Sequence, residues 1–467
     1  MLDTLIIGAG ISGLSLAHNL KQNQKQILVT ESQGRVGGNI ISNQAGEFLW
    51  EEGPNSFAPN PALLKLAVDV GLKDELVLAD RKLPRYVYWQ GKLIPVPMSP
   101  PAALTTDLLS TSGKARALFG ALGFVPPLVG KTEEETVAEY FCRNLGAEVT
   151  NRLVSPFVSG VYAGDVNQLS AQSAFARVVN LSNVGGGLLA GAILSRKKQP
   201  KSQAKPDPNL PQTKPGELGS FRKGLQMLPE AIASRLGDAV KLNWKLKELR
   251  RTPEQNYLAT FDTPEGHQEI ATRSIVLTVP AYVAANLLQP LHAKVSDALR
   301  EIFYPPVACV VLAYPKNALK RPLDGFGNLI PRGEGIRTLG TIWSSTLFPG
   351  RTAEGWQILT NFIGGATDLG IGELEEEAIA QAVQKDLSKI LVNPEVSPKV
   401  LAVHLWKRAI PQYNLGHQQR LATIFAGLEE LPGLFLSGNY LDGVSLGDCV
   451  RRGRENAIKV EDYLAIN

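Results

Sequence analysis

The N-terminal stretch restricts the fold more than any other part of this 467-residue chain. An apolar run at 2–7 precedes Gly8, Gly10 and Gly13, then a helical pattern, then a second apolar run that ends at Glu31. This order predicts a strand, a glycine turn, a helix and a parallel strand. Gly8 permits the tight turn, Gly10 lets the backbone approach a pyrophosphate, and Gly13 lets helix and strand pack closely. A glycine turn without a ligand is the alternative.

The residues around Glu31 indicate which kind of nucleotide is bound. A carboxylate at the end of the second strand is placed to accept a hydrogen bond from a ribose hydroxyl. Arg35 and the pair Gly37-Gly38 follow, which adds a cation and two bare backbone positions beside the predicted phosphates. Folds that bind NAD need no such second phosphate clamp.

Composition limits the partners and the chemistry. A chain of this length is expected to form two or three domains. The net charge of +4 suits an anionic substrate or lipid headgroup and does not argue for nucleic acid. Cys142, Cys309 and Cys449 lie far apart, so we predict no disulfide framework and no cysteine metal site, as in a reducing compartment. The five histidines are scattered, and we predict no metal.

No segment predicts a membrane-spanning helix. The chain begins in its first predicted strand, so we expect no targeting peptide. The long uncharged stretches 178–195 and 274–293 are interrupted by Asn, Gly or Pro. Residues 100–130 carry few charges in short helical patterns, which is typical of a helical region lying on a membrane surface or of a buried bundle core. Lysines and prolines dominate 195–216, which predicts a flexible loop.

Other stretches suggest where a substrate could lie. Residues 85–97 predict a hairpin, and the strand-rich stretch 302–363 predicts a sheet that could form the floor of a cavity. Residues 153–165 are apolar without a helical period, which suggests backbone closely approached by something flat. Gly185 to Gly187 predict a flexible helix junction. The unit 434–448 predicts a strand, a glycine turn and a second helix N-terminus.

Glu31, Arg35, Gly37-Gly38 and the segment Glu52-Gly53-Pro54-Asn55-Ser56-Phe57 resemble the flavin-containing amine oxidase superfamily. The resemblance implies FAD as cofactor and an α/β fold: a Rossmann-like FAD-binding domain, a sheet-based substrate domain and a helical membrane-associating insertion. The implied boundaries are 1–75, 217–285 and 415–467 for the FAD-binding domain, 76–97 and 286–414 for the substrate domain, and 98–216 for the insertion. The implied FAD contacts are Gly8, Gly10, Ile11, Ser12, Gly13, Glu31, Ser32, Arg35, Gly37, Gly38, Gly53, Pro54, Asn55, Ser56, Val240, Trp406, Gly438, Asn439, Val444 and Ser445.

Four segments narrow this resemblance to one branch: 84–86, 156–165, 340–345 and 438–440. They are similar to protoporphyrinogen oxidases, most closely of the plastid and cyanobacterial type, although most relatives in the superfamily carry Asp where this chain has Asn439. The resemblance implies that Arg85 pairs with a propionate of the porphyrinogen and that Trp343 faces the tetrapyrrole, at a position more often Phe or Tyr. The other implied substrate contacts are Phe157, Gly160 and Leu329.

The resemblance also implies the reaction and its setting in heme and chlorophyll biosynthesis. Six electrons leave the macrocycle by hydride transfer to flavin N5, and O₂ reoxidises the flavin, so no side chain is assigned a catalytic role. The implied location is peripheral, on the cytoplasmic side of a bacterial membrane. A homodimer is one oligomeric state that the sequence leaves open. Coproporphyrinogen III differs in its number of propionates and stays the main alternative. An amine oxidase or carotene desaturase is less favoured, and a non-catalytic flavin-binding scaffold is the alternative from another class.

Overall fold

The structure of the protein is a computed structural model that describes residues 1–126, 134–185, 187–198 and 207–466. In chain order the strands are β1 Leu2–Ile7, β2 Ile27–Glu31, β3 Ser42–Ala45, β4 Phe48–Glu51, β5 Leu76–Leu78, β6 Arg85–Trp89, β7 Lys92–Pro95, β8 Gly219–Phe221, β9 Val240–Leu242, β10 Lys245–Arg251, β11 Tyr257–Thr263, β12 Gly266–Leu277, β13 Val307–Pro315, β14 Gly327–Leu329, β15 Thr338–Ile342, β16 Trp356–Gly364, β17 Lys399–Trp406 and β18 Leu434–Leu436.

The helices alternate with these strands. They are α1 Ile11–Gln22, α2 Pro61–Asp69, α3 Pro100–Thr105, α4 Thr111–Ala121, α5 Val137–Leu145, α6 Ala147–Val149, α7 Ser155–Tyr162, α8 Ala171–Ala174, α9 Ala176–Gly185, α10 Leu188–Lys198, α11 Met227–Leu236, α12 Ala281–Leu288, α13 Ala293–Arg300, α14 Ser344–Leu347, α15 Glu376–Ile390, α16 His417–Glu429 and α17 Leu446–Ile466. A turn of π-helix at Thr150–Val154 joins α6 to α7.

The first sheet contains the predicted strand, glycine turn, helix and strand, and this prediction is confirmed. Its strands follow the order β10-β11-β12-β1-β2-β9, with β18 also paired to β12. The pairs β1–β2, β1–β12, β2–β9 and β12–β18 are parallel, so the carboxyl ends of these strands meet at one edge. Helices α1, α2, α11 and α17 pack on one face, and α12, α13 and α16 pack on the other. Burial on both faces explains the continuous apolar runs of β1 and of the end of β12.

The second sheet has the strand order β17-β13-β16-β15-β14-β6-β7 and uses the strand-rich stretch predicted after residue 302. The predicted hairpin is present as β6 and β7, which are joined through Gln90 (φ 49°) and Gly91 (φ 79°). Positive φ at both central residues is the conformation that suits the twist of a two-residue hairpin. Helix α15 covers one face of the sheet, where its Ile379, Val383 and Leu387 are fully buried.

Helices α3 to α10, with the π-helical turn, form a third unit that we call the helical layer. Its core also contains Val87 of β6, so the layer packs against the second sheet. The interpretation of 153–165 as non-helical is wrong, because the chain is helical from Thr150 to Tyr162 and ends at Ala163 in the left-handed conformation. Pro156 lies directly after the π-helical turn, so its missing N–H falls where the hydrogen-bond pattern changes from π-helical to α-helical.

Some predictions on the helical layer concern residues that the structure does not describe. Residues 127–130 of the stretch 100–130, Gly186 of the predicted helix junction, and 199–206 of the predicted loop lie outside the described residues. The beginning of that loop is helical instead, since α10 continues to Lys198. Within the described ranges, no helix is both long enough and apolar enough to cross a bilayer.

Candidate functional site

The glycine turn at the carboxyl edge of the first sheet uses its glycines for different purposes. Gly8 has φ +108°, a conformation that L side chains rarely adopt. A methyl group on Gly13 would lie 2.1 Å from the carbonyl oxygen of Gly8 and 2.6 Å from Thr278 Oγ1. A methyl group on Gly10 would meet nothing within 4 Å. Gly13 therefore serves close packing of helix and strand, whereas Gly10 leaves room for a ligand at the N-terminus of α1.

Glu31 lies beside this turn. Its Oε2 accepts a hydrogen bond from the Ala9 N–H at 2.9 Å, and its Oε1 accepts bonds from Ser32 Oγ and Gln33 N. The pairing of β1 with β2 brings the end of β2 next to the turn, because parallel neighbours finish at the same edge. Ile11 and Ser12 begin α1, and Ser12 is buried against Cys449 of α17.

The loop after β2 closes over the turn. Arg35 donates hydrogen bonds to the carbonyl oxygens of Gly38 at 2.6 Å, Ile40 at 3.2 Å and Val36 at 3.3 Å. Gly37 N donates to the Ala9 carbonyl at 2.8 Å. A methyl group on Gly38 would lie 3.4 Å from Gly10 Cα. The structure thus brings together the residues predicted from the first forty positions, and partial burial lowers the pKa of Arg35.

A cavity of about 350 Å³ adjoins this loop and β9. Its lining combines two predicted FAD contacts with residues that the sequence analysis missed: Arg35, Val36, Gln226, Glu230, Ala233, Val240 and Leu242. Gln226 Nε2 donates to the Val36 carbonyl at 2.9 Å, and its Oε1 is buried without a partner among the described residues. No sequence motif predicts Gln226 or Glu230 as cavity residues, because they reach the cavity only through the packing of α11 and the residue before it against β9. The cavity suits the adenosine end of a dinucleotide.

The segment 52–56 is held by a carboxylate network. Glu52 lies 3.0 Å from His404 Nδ1 and accepts hydrogen bonds from Trp50 Nε1 and Asn43 Nδ2. These contacts, led by the bond with His404, lower the pKa of Glu52 to about 2. The Glu52 carbonyl accepts a bond from Trp406 Nε1 at 2.8 Å, which brings two predicted FAD-contacting regions together.

Gly53 and Asn55 show what the segment can hold. A methyl group on Gly53 would lie 2.0 Å from the Asn39 carbonyl oxygen and 3.9 Å from the Trp406 ring. Asn55 is buried, yet among the described residues neither its Oδ1 nor its Nδ2 has a partner. A buried amide without partners is costly, so these atoms fit a polar ligand. Pro54 and Ser56 flank Asn55 in the same irregular stretch.

The loop at residues 438–445 contributes from the last parallel strand. It follows β18 and leads into α17, at the same sheet edge as the glycine turn. Ser445 Oγ accepts a bond from Asp448 N at 3.1 Å and donates to Asp448 Oδ2 at 2.5 Å, so Ser445 caps α17. Tyr413 donates its phenolic hydrogen to the Asn439 carbonyl oxygen at 2.5 Å. The predicted FAD contacts Gly438, Asn439, Val444 and Ser445 therefore share one fixed loop.

Arg85, Gly160 and Leu329 lie between the second sheet and α7. Arg85 pairs with Gly327 in the ladder, and Val87 pairs with Leu329, so these alternate residues face the helical layer. A methyl group on Gly160 would lie 2.3 Å from Leu329 Cδ2. The Arg85 guanidinium lies 5.3 Å from the Phe326 ring centroid and has no carboxylate partner among the described residues. Phe157 is exposed on the same helix as Gly160.

The structure separates Trp343 from this group. Its side chain is fully buried, stacks on Tyr86 with ring centroids 5.3 Å apart, and donates to Asn328 Oδ1 at 3.3 Å. Tyr86 and Asn328 alternate with Arg85 and Leu329 along their strands, so they belong to the opposite face, the one covered by α15. The geometry therefore does not support the interpretation of Trp343 as a residue that faces a tetrapyrrole.

A buried ion pair joins the second sheet to the FAD-binding segments. Glu51 Oε1 lies 3.2 Å from Arg351 Nη2, and both side chains are almost completely buried. Glu51 also accepts bonds from Ser42 Oγ and Leu225 N, while Arg351 donates to Ser220 Oγ. Burial raises the pKa of Glu51 to about 7. No sequence motif predicts this pair, because its members are 300 residues apart.

The chain is similar to known proteins along nearly its whole length. The profile of the flavin-containing amine oxidoreductases matches residues 11–460. The chloroplastic protoporphyrinogen oxidase of Oryza sativa subsp. japonica is 47% identical over 476 residues, which cover 99% of this chain and 88% of that protein. The coproporphyrinogen III oxidase of Bacillus subtilis (strain 168) is 28% identical over 98% of each chain. A crystal structure from Exiguobacterium sp. 255-15 has a TM-score of 0.81 at 23% identity, covering 98% of each chain.

These likenesses establish both the cofactor and the relationship. The matched family contains flavin, and the glycine turn, Glu31 and the unpartnered amide of Asn55 fit its dinucleotide, so the FAD predicted from the sequence is confirmed. The match to the rice enzyme runs along nearly the whole chain and is far above the 28% identity of the Bacillus enzyme. The chain therefore belongs to the flavin-containing amine oxidoreductases and, within them, to the protoporphyrinogen oxidase family.

Proposed function

We propose that this protein oxidises protoporphyrinogen IX to protoporphyrin IX in heme and chlorophyll biosynthesis, with FAD as cofactor and O₂ as final acceptor. The observation that carries the proposal is Arg85, a cation without a carboxylate partner among the described residues, beside Gly160 and Leu329. A porphyrinogen combines a large apolar ring with carboxylates. The free guanidinium of Arg85, near the apolar contact of Gly160 with Leu329, offers a partner for one of those carboxylates. The relatives with 46–47% identity carry the corresponding name.

The residues of this chain would seat the reactants, and they need not supply a nucleophile. FAD, when bound, accepts electrons from the macrocycle two at a time. The 1–75, 217–285 and 415–467 segments would hold FAD, and 76–97 with 286–414 would hold the substrate. Within this arrangement Arg85 orients the macrocycle by its carboxylate, while Phe157, Gly160 and Leu329 exclude water from one face.

An aerobic assay with two substrates tests the proposal. We expect faster formation of fluorescent porphyrin, with release of peroxide, from protoporphyrinogen IX than from coproporphyrinogen III. The second substrate is included because the Bacillus subtilis relative at 28% identity is named for it. Equal or faster oxidation of coproporphyrinogen III would assign the chain to the alternative activity, and no porphyrin from either substrate would reject the proposal.

Replacing Arg85 with alanine is expected to raise KM for the porphyrinogen tenfold to a hundredfold. A bidentate, charge-assisted pair with a carboxylate contributes about 1.5–3 kcal/mol, which is roughly that range in binding. Steady-state kinetics would measure the change, and FAD content should equal that of the parent. Arg85→Lys should recover only part of the loss, because a point charge lacks the planar fork. Unchanged kinetics in both variants would contradict the assignment of Arg85.

We also propose that the helical layer rests on a membrane surface. Leu118 and Phe119 of α4, with Leu122 and Phe124 just after the helix, are 48% to 70% exposed, as large apolar side chains seldom are in such a group. The start of α10 packs beside the end of α4, since a methyl group on Gly187 would lie 2.7 Å from Gly123 N. Leu189, Ile193 and Leu194 of α10 add exposed apolar surface. Peripheral binding at the cytoplasmic face of a bacterial membrane suits a substrate of low solubility.

Serine substitution of Leu118, Phe119 and Leu122 together is expected to lower binding to vesicles at least tenfold. Burying each such side chain is worth about 1.5–3 kcal/mol, and exposed residues can be replaced with little loss of stability. Flotation with phosphatidylcholine–phosphatidylglycerol vesicles would measure the bound fraction. Phe425→Ser is the matched control, because Phe425 is 45% exposed on α16, outside the helical layer. Equal flotation of the triple variant and the control would contradict the proposal.

A further inference from the structure

Tyr413 and His417 form a stacked pair directly below the 438–445 loop. Their ring centroids lie 4.4 Å apart with an interplanar angle of 13°, and both side chains are buried. Burial lowers the pKa of His417 to about 4 and raises that of Tyr413. At neutral pH the imidazole is therefore uncharged and the phenol keeps its proton, so that the phenol acts as a hydrogen-bond donor.

Both rings lie against the backbone of the loop. The Tyr413 hydroxyl donates a hydrogen bond to the Asn439 carbonyl oxygen, and the His417 ring lies near the backbone of Leu441. Val444, farther along the loop, packs against the same buried cluster as the Tyr413 ring. The loop is thus contacted from one side at Asn439, near Leu441 and at Val444, which lies shortly before α17.

The chain around Tyr413 is in turn held by the helical layer. Ser170 N donates to the Tyr413 carbonyl at 2.8 Å, and Leu415 N donates to the Gln168 carbonyl at 2.9 Å. Glu134 Oε2 accepts a bond from Gly416 N at 2.7 Å. The segment 413–416 is therefore a short bridge, with the helical layer on one side and the loop on the other.

We propose that Tyr413 is a positioning residue that fixes the 438–445 loop for FAD and ties that loop to the helical layer. The inference rests on the proposed role of this loop in binding the flavin. Backbone N–H groups and a helix N-terminus stabilise negative charge only at short range, so small displacements of the loop change that stabilisation. Reduced flavin carries more negative charge than oxidised flavin. The hydrogen bond from Tyr413 therefore affects both retention of FAD and its midpoint potential.

Tyr440 offers a matched control within the same loop. It is fully buried, its ring lies against Gly438, and its hydroxyl has no partner among the described residues. Tyr413→Phe and Tyr440→Phe each remove one buried hydroxyl from an aromatic ring of the same size. Only the first removes a hydrogen bond to the loop, so a difference between the two variants isolates that bond.

The test compares purified holoenzymes by the rate of FAD dissociation and by the midpoint potential of the flavin. We expect Tyr413→Phe to release FAD three- to tenfold faster than the parent and to have a more negative potential, whereas Tyr440→Phe matches the parent. Glu134→Ala should change both quantities in the same direction by a smaller factor, and should have no further effect in the Tyr413→Phe background. Non-additive effects of the two substitutions would show that Glu134 and Tyr413 act on the loop through the same contacts.

Two results would overturn the inference. The first is a Tyr413→Phe variant with the same FAD dissociation and potential as Tyr440→Phe. The second is full additivity of Glu134→Ala and Tyr413→Phe, which would remove the connection to the helical layer. Neither measurement uses a porphyrinogen, so a failure of the proposed substrate would appear separately, as a parent enzyme that binds FAD and produces no porphyrin.

Discussion

Arg351→Met is expected to lower the free energy of unfolding by about 3–5 kcal/mol, the range found when one partner of a buried ion pair is removed. Arg351 is 3% exposed and Glu51 is fully buried, so the carboxylate that remains cannot reach water. Its bonds from Ser42 and Leu225 compensate for only part of the lost charge. Denaturant unfolding of the holoenzyme at fixed FAD concentration would measure the loss.

The loss of stability caused by Arg351→Met should depend on pH. The pKa of Glu51 is raised from 4.5 to about 7 in the folded protein, so the folded state favours the protonated carboxyl. Stability from this group is fully present below the unfolded pKa and is lost as pH rises through the folded one. Loss of the Arg351 cation raises the folded pKa further. The destabilisation by Arg351→Met should therefore be larger at pH 8 than at pH 5.

Two further variants separate the ion pair from general effects of losing an arginine. Arg250→Met removes an arginine from an exposed pair with Glu269 and should change stability by about 1 kcal/mol or less. The double variant Glu51→Gln with Arg351→Met leaves no buried charge and should be more stable than Arg351→Met alone. A double variant no more stable than the single one would show that the two residues do not act as a pair.

Gly10→Ala is expected to weaken FAD binding more than a hundredfold while leaving the stability of the FAD-free protein unchanged. Gly10 has ordinary backbone angles (φ −72°, ψ 174°), and a methyl group there meets no protein atom within 4 Å. The methyl group would instead occupy the space through which the backbone approaches the pyrophosphate. The corresponding loss in binding is about 3 kcal/mol or more. Titration of FAD-free protein by flavin fluorescence, beside its thermal melting, would measure both quantities.

Gly13→Ala is the matched control, because its methyl group would clash with the protein itself and not with the ligand. It would lie 2.1 Å from the Gly8 carbonyl oxygen, so helix α1 must shift away from β1. We expect the FAD-free protein itself to be destabilised, by about 1–3 kcal/mol, as for other overpacked interiors. A Gly10→Ala protein that binds FAD normally, or that melts like Gly13→Ala, would contradict the separation of roles.

Local patterns in the sequence were sufficient for the β1-α1-β2 unit and its glycine turn. The strand, glycine turn, helix and strand lie within the first 31 residues, and their side-chain periodicity reports directly which residues are buried. The hairpin of β6 and β7 was equally accessible, since Gln90-Gly91 separates two short alternating runs. The helix within 153–165 was not predicted, because the π-helical turn and Pro156 hid its helical period.

The sequence by itself therefore determined the nucleotide-binding unit and the kind of cofactor. Only the tertiary structure decided the face on which Trp343 lies, because the pairing of β15 with β16 shifts register between Thr338 and Gly340. Side chains alternate along a strand, so a shift of one residue exchanges the two faces. The contacts Glu51–Arg351 and Tyr413–Asn439 were likewise decided by packing. They join residues that are distant in the chain, where no local periodicity carries information about which groups will meet.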